Sequence, residues 1–417
     1  MTTKTFRFGP ATLVTAAFIG PGTVITASLA GANYGYALVW ALLFSVFATM
    51  VLQEMAARLG IVTGRGLGEN LRTLVNSPLL RWPLLLLVVA AIVVGNSAYQ
   101  AGNISGAALG AEAIFTGVTF IQHWYSSTGI KFWPLILGLL AAAVLWFGRY
   151  KWIERCLIGL VLLMSLAFIA TMILTRPDVL ALVKGAFWPQ IPAGAMLTVV
   201  ALIGTTVVPY SLFLHAASAA QKWPQADIDT RSALAASRAD IAVAIPLGGL
   251  ISIAIVSTAA IAFFGSGQQL DNVSQLAQSL TPLFGTAATW SLAVGLMAAG
   301  LSSAITAPLA AAYALTGIMG KPLDLKQPLF RLTWLAIISI GVLLSSLGIR
   351  PLNVIWFAQV ANGILLPLIC ICLLLAMNHK VLGAYKNNRR QNVLGALVLL
   401  VSLLLSGRSL ALAFALL

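Results

Sequence analysis

The chain has 417 residues, 60% hydrophobic and 8% charged, with a mean hydropathy of +0.98 and a formal net charge of +14. Soluble domains run at about 45–50% apolar and about 25% charged, so a soluble globule, a disordered chain, a collagen and a disulfide scaffold are excluded. What remains is a polytopic membrane protein. The basicity does not point to nucleic acid, because the charges are spread between apolar spans rather than gathered on one surface. Cys156, Cys370 and Cys372 sit in or beside apolar runs without metal-ligand spacing, which predicts inert core thiols, no disulfide and no zinc site. The first eight residues carry Lys4 and Arg7 but no signal region with a cleavage site, so no cleaved signal is expected.

In chain order, eleven segments approach the ~20 apolar residues that a span needs. They are roughly 11–32, 37–57, 83–110, 132–148, 153–175, 194–219, 240–264, 284–318, 331–348, 352–377 and 391–413. The eighth is long and is expected to open with an amphipathic segment. The longest polar stretches, Arg58–Arg81 and Gln221–Arg238, are basic. No soluble domain fits between the spans, so residues 1–417 read as a single transmembrane domain. With the N-terminus inside, 19 of the 24 Lys and Arg residues fall in inner segments and five (Lys131, Arg176, Lys184, Arg350 and Arg408) in outer ones. That bias predicts a cytoplasmic N-terminus and an outside C-terminus.

Two spans carry helix breakers near their middle. The first holds Gly20-Pro21-Gly22-Thr23 and the sixth holds Val207-Val208-Pro209-Tyr210-Ser211. They are five spans apart, and an odd repeat length gives two halves of opposite orientation. This is the pattern of an inverted-repeat transporter, with one repeat over about 9–175, the second over about 190–377, and an extra helix over about 391–413. Broken helices free backbone groups at mid-membrane, which are tolerated only where they line a site.

The same residues carry a family resemblance. Gly9-Pro10-Ala11 followed by Phe18-Ile19-Gly20-Pro21-Gly22-Thr23 resembles the first helix of the NRAMP divalent-metal transporters, whose motif reads Asp-Pro-Gly-Asn. Leu52-Gln53 through Ala57-Arg58-Leu59-Gly60-Ile61-Val62-Thr63-Gly64-Arg65 resembles the end of that family's second helix. Gly204-Thr205-Thr206-Val207-Val208-Pro209-Tyr210-Ser211-Leu212-Phe213-Leu214-His215 is similar to its helix-6 motif, Gly-Ala-Thr-Val-Met-Pro-His-Asn-Leu-Tyr-Leu-His. Gly295 through Thr306 resembles its helix 8. The resemblance runs through the first ten spans. It implies an all-α integral membrane protein with eleven helices, a LeuT-type 5+5 inverted repeat and broken helices 1 and 6.

The resemblance also marks departures. The family's metal-binding Asp, Asn, Met and Ala-carbonyl positions correspond to Gly20, Thr23, Val208 and Thr205. The helix-3 acids correspond to Gln100 and Asn103, and the first helix-6 His to Tyr210; the second remains as His215. Gln359 lies close to a family glutamine on helix 10. Acids away from the centre, Glu154 and Asp240, stand where the family also has acids. The chain therefore reads as a substituted site on a retained scaffold.

Neutral hydroxyls cannot replace the water shell of a buried dication, and hard dications normally take carboxylates. Val208 offers no soft donor. A hydrated ion such as Mg²⁺ keeps its waters, which Thr23, Thr205, Ser211 and Gln359 can hydrogen-bond. A small polar or organic solute is served by Thr23, Thr26, Asn96, Gln100, Asn103, Thr206, Tyr210, Ser211 and His215, which offer donors and acceptors without fixed charge. The candidate substrate residues are Gly20, Thr23, Thr205, Val208, Tyr210, Ser211 and Gln359. The proton or gating candidates are Gln100, Asn103 and His215. Each has a plainer reading: Thr and Ser often bond their own helix, and Asn and Gln often tie membrane helices together.

No enzyme motif is present: no His-Glu-x-x-His, no intramembrane Asp pair and no phosphate-binding glycine loop. The expectation is a secondary transporter with altered substrate and weak or absent proton coupling, set in a bacterial inner membrane. No cofactor is expected, the only partners being the solute or cation and the bilayer, and a monomer is plausible. The alternative is a non-transporting membrane sensor or degenerate paralogue that binds no metal.

Overall fold

The computed structural model describes residues 10–11, 19–74, 78–147, 151–222, 229–268, 270, 272–321, 324–347 and 349–415, and it is helical with no strand among them. Among the described residues nine helices are long and apolar enough to cross a membrane, or ten when the pair Thr119–Thr128 and Phe132–Phe147, bent by 99° at their junction, is taken as one span. The expected first span is described as a helix only over Pro21–Tyr34, 14 residues, because residues 12–18 lie outside the described set. An eleventh crossing is therefore not counted here.

In order, the helices used below are α1 (Pro21–Tyr34), α2 (Val39–Thr63), α3 (Leu67–Leu74), α4 (Pro78–Ile114), α5 (Thr119–Thr128), α6 (Phe132–Phe147), α7 (Lys151–Thr175) and α8 (Val179–Phe187). There follow α9 (Met196–Thr206), α10 (Pro209–Lys222), α11 (Thr230–Phe263), α12 (Val273–Ala277), α13 (Thr281–Phe284), α14 (Ala288–Met319), α15 (Pro328–Ser346), α16 (Pro351–Met377) and α17 (Arg389–Ala415). The short turns α12 and α13 lead into α14, where the sequence predicts an amphipathic opening.

The centre of the bundle is legible from burial. Of the most apolar window in Met196–Lys222, 94% is buried, and 89% in Val273–Met319; in Arg155–Thr175 and Arg389–Leu412 only 33% is. Helices α9, α10 and α14 therefore sit inside, while α7 and α17 face outward. Cys156 on α7 is exposed, unlike buried Cys370 and Cys372 on α16, so the expectation of three core thiols is corrected for Cys156. An apolar α7 satisfies the composition pattern equally well on a lipid-facing surface, which is why sequence alone misplaces it.

Small residues bring the inner helices together, as expected where lipid offers no hydrophobic drive to association. A Cβ added at Gly300 on α14 would lie 2.5 Å from the Ala107 nitrogen and 2.6 Å from the Asn103 carbonyl of α4. A Cβ at Gly60 on α2 would collide with the Ala216 carbonyl of α10. Polar ties add to this. The Asp240 carboxylate on α11 accepts from the Ala11 N–H at 2.8 Å, fastening the chain before the first break. The Glu154 side chain lies outside the described set.

Gly300→Ala is expected to destabilise the protein by about 1–3 kcal/mol through overpacking against backbone that cannot yield. Gly159→Ala, where an added Cβ meets nothing, is expected to be neutral or slightly stabilising. Thermal unfolding in detergent separates the two.

Candidate substrate site at the helix breaks

The sixth span is interrupted where the sequence predicts it. Helix α9 ends at Thr206; Val207 leaves helical geometry at φ −93°, ψ 76°, and α10 restarts at Pro209. Pro209 has no N–H, so it cannot serve the carbonyl of Thr205 four residues back. On the other side, Gly20 is extended at φ −106°, ψ −173° and Pro21 occupies the first position of α1 without a side-chain cap. Both helix ends lie in buried surroundings.

The hydroxyls of Thr23 and Thr205 meet across the two breaks, 2.9 Å apart, and either can donate. Both residues are fully buried. Gln359 on α16 is seated between the same elements. A Cβ at Gly22 would strike its carboxamide, and a Cβ at Gly204 would strike its backbone carbonyl. The Gln359 Oε1 atom has no hydrogen-bond partner among the described residues. Thr23, Thr205 and Gln359 are thus brought together, and Gly22 and Gly204 are the small residues that permit it.

A second network lies along α10. The Ser211 hydroxyl donates to the Val208 carbonyl at 2.7 Å and accepts from Gln53 Nε2 at 2.8 Å. Gln53 Oε1 lies 2.6 Å from His215 Nδ1. With the Gln53 amide so oriented, His215 carries its proton on Nδ1, and Nε2 is left without a partner. Val208 contributes its carbonyl here, not its side chain. Gln53 is the residue to which the sequence reading gave no role. Its signal was available: an amide inside the apolar run of helix 2 is expensive unless it bonds across helices.

The helix-3 candidates go elsewhere. Gln100 donates from Nε2 to the Ala304 carbonyl of α14 at 3.0 Å, and its Cγ lies against Gly341 of α15. Its Oε1 and the Nδ2 of Asn103 have no partner. Both side chains are buried. Tyr210 packs its ring on Tyr99 of α4 at 5.2 Å between centroids. Beside it a cavity of about 10 Å³ is lined by Asn96, Pro209, Tyr210 and Asn362 among others. Asn96 Oδ1 and Asn362 Nδ2 are both without partners. A space of that size is about that of one water.

The chemistry on offer at the breaks is neutral. Among the described residues, no group of three or more His, Cys, Asp or Glu side chains is placed to hold a metal ion. Hydroxyls, carboxamides, an imidazole and freed carbonyls can hydrogen-bond a polar solute or the water shell of an ion.

Comparison with known proteins bears on this arrangement. Residues 11–412 match the family model described as natural resistance-associated macrophage protein-like. A divalent metal cation transporter MntH of Erwinia tasmaniensis is 30% identical over 96% of this chain and 92% of its own length. One from Aeromonas hydrophila is 29% identical over 94% and 91%. Among solved structures, a manganese transporter of Eremococcus coleocola superposes with a TM-score of 0.75 at 22% identity, covering 95% of this chain and 84% of that one. Mhp1, a nucleobase-cation-symport-1 family transporter captured closed with bromovinylhydantoin bound, gives 0.59 at 15% identity over 96% and 92%. At these identities the two structures speak for the fold alone.

Thr205→Val and Thr23→Val are each expected to lower stability by about 1 kcal/mol, because each removes the hydrogen bond between two buried hydroxyls. The double substitution is expected to lose less than the sum, with a coupling on the order of 1 kcal/mol. A double-mutant cycle on thermal unfolding reads this directly; additive losses would remove the pair from the account.

Proposed function

The chain belongs to the natural resistance-associated macrophage protein-like family, and we propose that it is a secondary transporter whose cargo is a hydrated dication or a small polar solute. The carrying observation is the Thr23–Thr205 hydroxyl pair at 2.9 Å between the two breaks. Its neutral donors and acceptors suit a ligand that brings its own water shell or carries no full charge. The named cargo of the curated relatives is a divalent metal cation. Gly20, Thr23, Thr205 and Val208, at the positions that hold metal ligands in the resembled motifs, supply no carboxylate and no thioether to a stripped Mn²⁺ or Fe²⁺. The desolvation of such an ion, several kcal/mol at least, would go unreturned.

In this reading Tyr210, Ser211 and Gln359 line the same site, and Gln100, Asn103 and His215 flank it. With Gln100 and Asn103 in place of carboxylates, helix 3 has no acid relay, so proton coupling is weak or absent. In this reading the architecture is eleven spans in a 5+5 inverted repeat with broken helices 1 and 6. The distribution of 19 of 24 basic residues to alternate loops supports a cytoplasmic N-terminus and an outside C-terminus in a bacterial inner membrane. Alternating access would come from one bundle rocking against the other about the two breaks.

Calorimetric titration of the purified protein at pH 7 and uptake into proteoliposomes test this together. The expected result is no micromolar Mn²⁺ heat, and saturable uptake of Mg²⁺ or of an organic solute without proton influx. Micromolar Mn²⁺ binding that weakens in Thr23→Ala would show that backbone carbonyls and hydroxyls suffice for a stripped metal, and would end the reading.

A further inference from the structure

At the end of the bundle where α2 finishes and α11 and α17 begin, one carboxylate holds two guanidinium groups. Glu54 accepts from Arg58 Nη2 through Oε2 at 3.0 Å. Through Oε1 it accepts from Arg238 Nε at 3.0 Å and Nη2 at 2.9 Å. Arg58 is 3% exposed and is consumed by the protein: Nη1 also donates to the Tyr385 carbonyl and Gln391 Oε1, and Nη2 to Asn387 Oδ1. Arg238 is different. Its side chain is 52% exposed. Its two bonds, from Nε and Nη2, both go to one Glu54 oxygen, and its Nη1 makes no hydrogen bond to a described residue.

Beside this cluster runs a groove of about 340 Å³. Its walls are Phe47, Met50, Val51 and Met55 of α2 and Leu394 of α17. Arg238, Glu54 and Gln391 close the polar end. Residues 47, 51, 54 and 55 recur at helical spacing, so they form one stripe on α2. Arg390, exposed, lies one turn before Leu394 on the same side of α17. One acid against Arg58, Arg238 and Arg390 leaves this polar end positive.

An apolar trough ending in spare guanidinium donors near the ends of apolar helices fits one kind of molecule. We propose that the groove is a binding site for an anionic phospholipid. One acyl chain lies along the α2 stripe between α11 and α17, and the headgroup phosphate takes the Nη1 donors of Arg238, with Arg390 beside it. A guanidinium is suited to this because it can serve a carboxylate and a phosphate from different edges. Basic residues at the membrane surface already draw anionic lipid; the trough adds shape to that attraction. The bound lipid would bridge α2, α11 and α17. It would sit one residue from Gln53, which reaches Ser211 and His215 from the other side of α2.

The test uses full-length protein stripped of lipid in a neutral detergent, with phosphatidylglycerol, phosphatidylcholine or inorganic phosphate added back. Phosphatidylglycerol is expected to raise the unfolding temperature by several degrees and to appear as a retained adduct in native mass spectrometry. Phosphatidylcholine and inorganic phosphate are expected to do neither. Val51→Trp fills the trough without touching a charge and should abolish both signals; Leu394→Trp does the same from the α17 wall if the first variant folds poorly. Arg390→Gln should weaken retention several-fold while leaving the Glu54 bridges in place. Equal effects of the two lipids, or an undiminished adduct in both tryptophan variants, would overturn the proposal. A shift reproduced by inorganic phosphate would reduce it to a bare anion site, which also overturns it.

Discussion

The constraint on which the rest depends is that a backbone polar group inside a bilayer must find a partner within the protein. A helix meets that demand by itself; a broken helix does not. Val207-Val208-Pro209 interrupts one helix and Gly20-Pro21 opens another in the same buried region. The surroundings are arranged to make that tolerable. Ser211 turns its hydroxyl back onto the Val208 carbonyl, Gln53 crosses from α2 to support Ser211, and Thr23 and Thr205 pair with each other. The side chains that hydrogen-bond at the breaks are polar, neutral and buried.

Satisfying the breaks requires the helices to come very close, and close approach requires small residues. Gly22 and Gly204 admit Gln359 between the two breaks, and Gly300 lets α14 lie against the backbone of α4. Packing of this kind is stiff, because backbone cannot move aside as a side-chain end can. The softer junctions lie at the ends, where charged and amide side chains hold α2, α11 and α17. The division is suited to a molecule in which rigid bundles move against one another.

The orphaned atoms carry the same message. Asn96 Oδ1, Gln100 Oε1, Asn103 Nδ2, His215 Nε2 and Gln359 Oε1 are buried without partners among the described residues. In a membrane interior such atoms are costly unless something visits them. All five belong to residues that the sequence had already marked. Asn96 and Gln359 leave hydrogen-bonding capacity beside Pro209, Gly22 and Gly204, whereas Gln100 is turned toward α14.

The all-helical, membrane-type character of the chain and the interruption at Val207-Val208-Pro209 were legible in the sequence alone, because hydrophobic length and Pro/Gly placement are local properties. The motif at 204–215 also marked Thr205, Ser211 and His215. Partnership was not local. Only the tertiary structure decided that Thr23 meets Thr205, 182 positions apart in the chain. It likewise decided that Val208 serves through its carbonyl and that Gln53 links Ser211 to His215. It turned Gln100 toward α14, put Cys156 on the outer face, and gave Arg238 a carboxylate from another helix. Periodicity tells which residues share a helix face; which face looks at which neighbour is settled when the helices pack and every buried donor competes for an acceptor.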